Sequence, residues 1–162
     1  MQLRGFCGLI ILLVESVSLN LLYVDDDHND LALFGLAVDR TDYDIRLFTL
    51  SDGQAAIDYL QGAPNYADRE LHPVPDLILL DLKMVKTSGF EFLAWRKNSL
   101  FAYIPVILFS SDARPVYKQR GLGLGADAYI EKPNAFAELK RAVGEIWTWW
   151  ENYRRKLRPS AL

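Results

Sequence analysis

Asp76-Leu-Ile-Leu-Leu-Asp81-Leu-Lys-Met-Val-Lys-Thr-Ser-Gly89 is the stretch on which the reading of this chain turns. Leu77 to Leu80 form an uninterrupted apolar run, short enough for a strand buried on both faces, and Asp81 stands where that run leaves the core. An ionised carboxylate at the edge of an apolar core is costly unless a cation or hydrogen-bond donors meet it. Gly89 closes a loop that starts at Asp81. Taken alone, Asp81 fits equally well a strand-end aspartate that caps the following turn.

Three other segments decide between the two. Asn20 to Val24 reads as a second apolar strand and runs into Asp25, Asp26 and Asp27. Ile104 to Phe109 ends in Ser110-Ser111, and Ala126 to Glu131 ends in Lys132-Pro133. Each apolar run is therefore followed by carboxylates, a hydroxyl or an amine. In an open parallel α/β sheet the carboxyl ends of the strands share one edge, and ligands bind there. Four separated segments then converge on one place.

Clustered carboxylates repel one another, so Asp25, Asp26 and Asp81 call for a hard divalent cation. Mg²⁺ suits oxygen ligands and keeps several waters. With the charge offset, Asp81 can act as a nucleophile toward a phosphoryl group, since carboxylates form aspartyl-phosphates. Lys132 would balance the phosphoryl oxygens and the Ser110 hydroxyl would donate to one of them, which is the positioning and electrostatics that phosphoryl transfer requires.

Val24-Asp25-Asp26-Asp27, Asp76-Leu-Ile-Leu-Leu-Asp81, Pro105-Val-Ile-Leu-Phe-Ser110-Ser111 and Gly125-Ala-Asp-Ala-Tyr-Ile-Glu-Lys132-Pro133 occur in this order with a helix-length segment between each pair. In these motifs the chain resembles the receiver domain of bacterial two-component response regulators, over roughly residues 19 to 148. The resemblance implies a doubly wound α/β fold, a (βα)₅ parallel sheet of the CheY-like type in the order 2-1-3-4-5. It implies that Asp81 is the phospho-acceptor, that Asp26, Asp81 and the backbone carbonyl of Lys83 hold Mg²⁺ directly, and that Asp25 acts through water. It further implies that Ser110 and Lys132 bind the phosphoryl group and that Tyr129 is the aromatic switch residue. The implied partners are a sensor histidine kinase or phosphotransfer protein and a downstream protein target. The implied role is signalling, not enzymatic turnover. Two departures stand out. Family members usually carry proline directly after the loop methionine, where this chain has Val85, which frees a backbone N–H and loosens the loop. The segment between Leu60 and Asp76 is also long, with Pro64, Pro73 and Pro75.

A length of 162 residues suits one domain with a substantial core. The net charge of −3 argues against general nucleic-acid binding, and no basic block precedes residue 154. A single cysteine, Cys7, excludes an intramolecular disulfide and fits a reducing, cytoplasmic setting. Residues 1–18 are read as an extension, 19–148 as the receiver domain and 149–162 as an extension of the last helix. Phe6 to Val14 is too short to span a membrane, and Glu15 follows where an export signal would need small residues. Ile11-Leu-Leu-Val-Glu15 echoes the first-strand motif, but only the later copy at Leu21 to Asp25 carries three acids.

Between the motifs the periodicity predicts a helix over His28 to Arg40, a strand over Ile45 to Leu50 and a helix from Gly53 to Leu60 capped by Asp52. Ser88 caps a helix over Phe90 to Asn98, and Asp112 opens a fourth helix that Gly121, Gly123 and Gly125 weaken. His28 reads as a first-turn helix residue and His72 as a solvated loop residue. The family pattern points to a cis Lys132–Pro133 bond.

Two enzyme classes share fragments of this pattern. Tyr23-Val24-Asp25-Asp26 matches the paired aspartates of reverse transcriptases, but the chain has no room for a polymerase fingers and palm. Haloacid-dehalogenase-like phosphatases place a second acid two residues after their aspartate, where this chain has Lys83. The rival of another kind is a receiver-like interaction module that works without phosphorylation, and the intact set Asp25, Asp26, Asp81, Ser110 and Lys132 argues against it. Output is expected to lie in another protein.

From Asn134 onward Phe136, Leu139, Val143, Ile146, Trp150, Tyr153 and Leu157 recur at steps of three and four, the seam of a packed helix. A helix from Asn134 to Leu157 would be about 36 Å long and would overhang strands of roughly 17–20 Å by about three turns. Those turns carry Trp149, Trp150 and Tyr153. Their cover is expected from a homodimer through this helix or from Phe6 to Val14 folding back over it.

Overall fold

The computed structural model describes residues 17–157. Five strands alternate with five helices: β1 (Leu19–Val24), α1 (His28–Val38), β2 (Ile45–Leu50), α2 (Gly53–Gln61), β3 (Leu77–Leu80), α3 (Gly89–Lys97), β4 (Val106–Ser110), α4 (Pro115–Gly123), β5 (Ala128–Glu131) and α5 (Phe136–Leu157). Every strand pairing is parallel, and the sheet order is β2-β1-β3-β4-β5. This is the doubly wound topology expected from the sequence, with the order of strand addition reversing between β1 and β3 while all strands stay parallel.

The apolar runs are buried because both faces of the sheet are covered. On one face Leu21, Tyr23, Leu79 and Ile107 pack with Phe34 of α1 and with Val143 and Ile146 of α5. On the other, Leu22, Val24, Ile78, Leu80 and Leu108 pack with Tyr59 of α2 and with Phe92 and Leu93 of α3. Alternate residues of each strand thus supply opposite cores. The register sets β1 beside β3, with Val24 opposite Leu80, so the residues after each strand emerge at one edge.

Caps fix where the helices begin. Asp27 accepts from the backbone N–H groups of Asn29 and Asp30 to start α1, which removes it from the acid cluster. Asp52 caps α2, and Ser88 and Glu91 form a reciprocal capping box at α3. Buried Arg96 closes the far side of α3, donating to the carbonyls of Ile104, Ala102 and Gly125.

Several expectations need correction. The fourth helix begins at Pro115 with Arg114 at its cap position, not at Asp112. The Asp112 carboxylate is committed to the Arg114 guanidinium and to Lys83 Nζ, so it is not spare for a cap. Gly121 does more than soften α4: a Cβ there would fall 2.2 Å from Leu108 Cδ1, so its absence lets α4 lie against β4. His72 is half-buried and not free in solvent, because it packs edge-on against Tyr59 and Tyr66. The loop around it is pinned by Arg69, which donates to the carbonyls of Tyr59 and Leu60. The Lys132–Pro133 bond is trans.

The last helix starts at Phe136, two residues later than expected, and runs unbroken to Leu157, across the boundary expected at residue 148. Trp150 is not left over the edge; it is 5 % exposed and part of the core. The surface under α5 is longer than the strands alone, because Val17, Pro75, Ile104 and Pro105, all preceding strands, line a groove with Trp150 and Tyr153. Trp149 stacks on Tyr153 at 5.2 Å, and among the large apolar side chains described in α5 only Leu157 at the tip is widely exposed, at 66 %. The expected cover by Phe6 to Val14 lies outside the described residues, as do Cys7 and the Ile11 to Glu15 echo. Among the described residues no helix is long and apolar enough to cross a membrane.

Candidate functional site

The loops leaving β1, β3, β4 and β5 bring Asp25, Asp26, Asp81, Ser110 and Lys132 to one edge of the sheet. Asp25 follows β1 and is fixed from several directions. The Asp27 backbone N–H donates to its Oδ1 at 3.0 Å, while the Tyr23 hydroxyl and Lys132 Nζ both donate to its Oδ2, the latter at 2.5 Å. Asp26 is less buried and accepts the backbone N–H of Val85 at 2.9 Å. Asp81, 6 % exposed, receives the Lys83 backbone N–H at 3.2 Å. One carboxylate oxygen from each of Asp25, Asp26 and Asp81 lies within 4.8 Å of the others.

Lys132 supplies the positive charge. Its Nζ lies 2.5 Å from Asp25, 2.8 Å from Asp30 and 3.7 Å from Asp81. Three carboxylates thus face one ammonium, a fourth, Asp26, stands beside Asp25 and Asp81, and the excess negative charge suits a cation. Burial pushes the Asp81 carboxyl above the ordinary carboxylate range; Lys132 opposes the rise, Asp25 adds to it, and the Ser110 hydroxyl opposes it. Burial works against the charge of Lys132, but Asp81, Asp25 and Asp30 outweigh it and raise the ammonium above its ordinary value. Burial, reinforced by Asp25, drives the Tyr23 phenol far upward, so its hydroxyl stays a donor.

Ser110 is buried at the end of β4, and its carbonyl accepts the Lys132 backbone N–H at 3.1 Å. The Tyr129 hydroxyl donates to the carbonyls of Asp112 at 2.7 Å and Ser110 at 3.2 Å, tying β5 to the loop after β4. The Lys83 side chain turns away from the acids to Asp112 at 2.6 Å. Its backbone remains beside Asp81.

Three participants escaped the sequence reading: Tyr23, Asp30 and Asp112. Tyr23 and Asp25 are two residues apart and so share a side of the extended chain, a signal available in the sequence. Asp30 lies in the first turn of α1, whose amino end opens on the pocket. The expectation that Val85 loosens the loop is met by the opposite geometry, since the N–H that proline would lack ties the loop to Asp26.

The cluster is chemically suited to a divalent cation: its donors are hard oxygens, three of them converge, and one side remains open through Asp26.

Comparison with known proteins agrees with this geometry. The family model of the response regulator receiver domain matches residues 21–144. The probable methanogenesis regulatory protein FilR2 of Methanothrix harundinacea is 32% identical over 141 residues, covering 86% of this chain and 88% of that protein. Response regulator Rcp1 of Synechocystis is 30% identical over 131 residues, covering 80% of this chain and 87% of that protein. The Mn²⁺-bound form of Rcp1 superposes with a TM-score of 0.71 at 30% identity, over 82% of this chain and 94% of that one. The phosphorylated cyanobacterial phytochrome response regulator RcpA gives a TM-score of 0.74 at 29% identity, over 83% of this chain and 94% of that one.

Proposed function

The chain belongs to the response regulator receiver domain family, and from that premise we propose that Asp81 is its phospho-acceptor, loaded in the presence of Mg²⁺. Its function is that of a phosphoacceptor in two-component signalling, and the phosphorylation-independent module is not favoured. Receiver domains are generally signalling proteins, not enzymes; they work with histidine kinases or phosphotransfer proteins and with downstream targets.

The observation that carries the assignment is the convergence of Asp25, Asp26 and Asp81 within 4.8 Å, with Lys132 alongside. In this reading an Asp81 carboxylate oxygen attacks the phosphorus of a phosphohistidine. The new O–P bond forms as the P–N bond breaks, and the freed imidazole takes up a proton. Asp26, Asp81 and the Lys83 carbonyl would hold Mg²⁺ directly, with Asp25 acting through water, and the cation would offset charge on the phosphoryl oxygens. Ser110 and Lys132 receive those oxygens. Tyr129, whose hydroxyl bonds the carbonyls of Asp112 and Ser110, would report the change to the outer surface. The proposed setting is the cytoplasm, with a separate kinase and a protein target and no direct nucleic-acid contact. A homodimer through the end of α5 belongs to the same reading, supported by exposed Leu157 and Tyr103 flanking one groove.

The deciding experiment is intact mass after incubation with acetyl phosphate and Mg²⁺. A gain of one phosphoryl unit, absent with EDTA and absent in Asp81→Asn, is expected. A gain that survives either treatment overturns the assignment of Asp81.

A further inference from the structure

The Lys132 ammonium is held by acids on the β1–α1 side of the pocket, not by Asp81. It sits 2.5 Å from Asp25 and 2.8 Å from Asp30, while Asp81 at 3.7 Å is beyond hydrogen-bonding distance. Asp25 cannot easily turn to follow the amine elsewhere. Its Oδ1 is fixed by the Asp27 backbone N–H, and its Oδ2 by the hydroxyl of Tyr23. That ring is itself locked between Phe34 at 4.9 Å and Phe109 at 5.9 Å. Asp30 is different in kind. It is 40 % exposed, it lies on α1, and it is not part of the three-carboxylate cluster.

We infer that Asp30 is a positioning residue: a resting-state tether that competes with a phosphoryl group on Asp81 for Lys132. This rests on the reading of Asp81 as phospho-acceptor. Two of the ammonium's three donors go to Asp25 and Asp30 while Nζ stands 3.7 Å from Asp81, so a phosphoryl group on Asp81 that draws the amine toward itself pulls it away from Asp30. The tether therefore stabilises the resting state relative to the phosphorylated one, and by linkage it weakens the hold on the phosphoryl group by the same factor. The partly exposed Asp30–Lys132 pair is of the strength measured for pairs near water, so its removal shifts the balance by about two- to fivefold.

The test titrates the full chain, in saturating Mg²⁺, with beryllium fluoride, a mimic of the phosphoryl group on a carboxylate, and follows the bound fluorides by ¹⁹F NMR. Asp30→Asn is expected to reach half-saturation at about two- to fivefold lower beryllium fluoride than wild type, and Asp30→Glu to restore the wild-type midpoint. Mg²⁺ affinity, measured separately by calorimetry, is expected to be the same in all three proteins. An unchanged or higher midpoint in Asp30→Asn overturns the tether. So does a weakening of Mg²⁺ binding by a comparable factor, because a through-space loss of negative charge would act on the cation as well. If wild type and both variants bind no beryllium fluoride at all, the phospho-acceptor reading fails and the tether falls with it; a wild type that binds while Asp30→Asn binds no better removes the tether alone.

Discussion

Val85 donates its backbone N–H to the Asp26 carboxylate at 2.9 Å while its own side chain is 91 % exposed. The loop after β3 is therefore joined to the residues after β1 through its own main chain and the Asp26 carboxylate, with no part played by the Val85 side chain. A hydrogen bond to a charged acceptor contributes about 1.5–3 kcal/mol in favourable settings and less where water competes. Val85→Pro, which removes the N–H, is expected to cost about 1 kcal/mol of metal-free stability in denaturant unfolding. Val85→Ala, which keeps it, is expected to cost almost nothing. Equal losses in the two variants would mean that the side chain matters and the bond does not.

Much of this site was legible because strand ends are legible. Leu77 to Leu80 is too apolar to be anything but core, so the position of Asp81 at its exit follows from the sequence, and the same logic places Asp25, Asp26, Ser110 and Lys132. What the residues around them do was harder to read. Asp112 precedes a proline by three positions, the pattern of a helix start, yet Lys83 of the neighbouring loop and Arg114 of its own loop claim its carboxylate. Strand length alone leaves Trp150 beyond the sheet, but the residues leading into β1, β3 and β4 extend the floor beneath it. Asp30 carries no motif at all; only the fold brings it to Lys132.

Asp81 offers a test of the buried charge. In metal-free buffer its carboxyl is raised above the ordinary range by burial, so the folded state holds that proton more tightly than the unfolded chain does. Stability from this group is therefore greatest at acid pH and falls as pH rises from the ordinary carboxylate range through the raised value. Asp81→Asn lacks that loss. In EDTA at neutral pH the variant is expected to melt about 2–6 °C above wild type, and the gap is expected to close as the pH is lowered. Mg²⁺ should raise the wild-type midpoint and leave Asp26→Ala unmoved. A gap that widens toward acid pH would contradict the assigned sign.

Lys83 and Asp112 meet at 2.6 Å and bridge the loops after β3 and β4. The Asp112 carboxyl is held far below its ordinary range by hydrogen bonds from Arg114 and then Lys83, so the acid side of the bridge is charged at neutral pH. Lys83 lies two residues after Asp81, and in the proposed reading a side chain at that position, held by Asp112, flanks the path of a water attacking a phosphorylated Asp81. Lys83→Ala is expected to shorten the phosphoryl half-life about two- to tenfold. Asp112→Asn should do the same, and the double variant no more than either. Multiplying effects in the double variant would show that the two residues act separately.

Gly89 sets the position of Asp81 through main-chain contact. A Cβ at Gly89 would stand 2.4 Å from the carbonyl oxygen of Asp81 and 2.9 Å from Leu82 Cα, and backbone atoms cannot yield as a flexible side chain can. Gly89 also donates its N–H to the Leu82 carbonyl at 3.2 Å, so the start of α3 and the end of β3 are in direct contact. Gly89→Ala must push that loop outward at a cost of about 1–3 kcal/mol, the range for overpacking a filled site. The displacement falls on the residue whose carboxylate must stay within reach of Asp25 and Asp26. Phosphoryl uptake from acetyl phosphate is therefore expected to drop at least tenfold in Gly89→Ala at a temperature where circular dichroism shows the variant still folded. Gly123 is the matched control, because a Cβ there meets nothing within 4 Å. Gly123→Ala should retain wild-type uptake and gain up to about 1 kcal/mol by restricting the unfolded chain. Full activity in folded Gly89→Ala would show that the loop absorbs the extra carbon without moving Asp81.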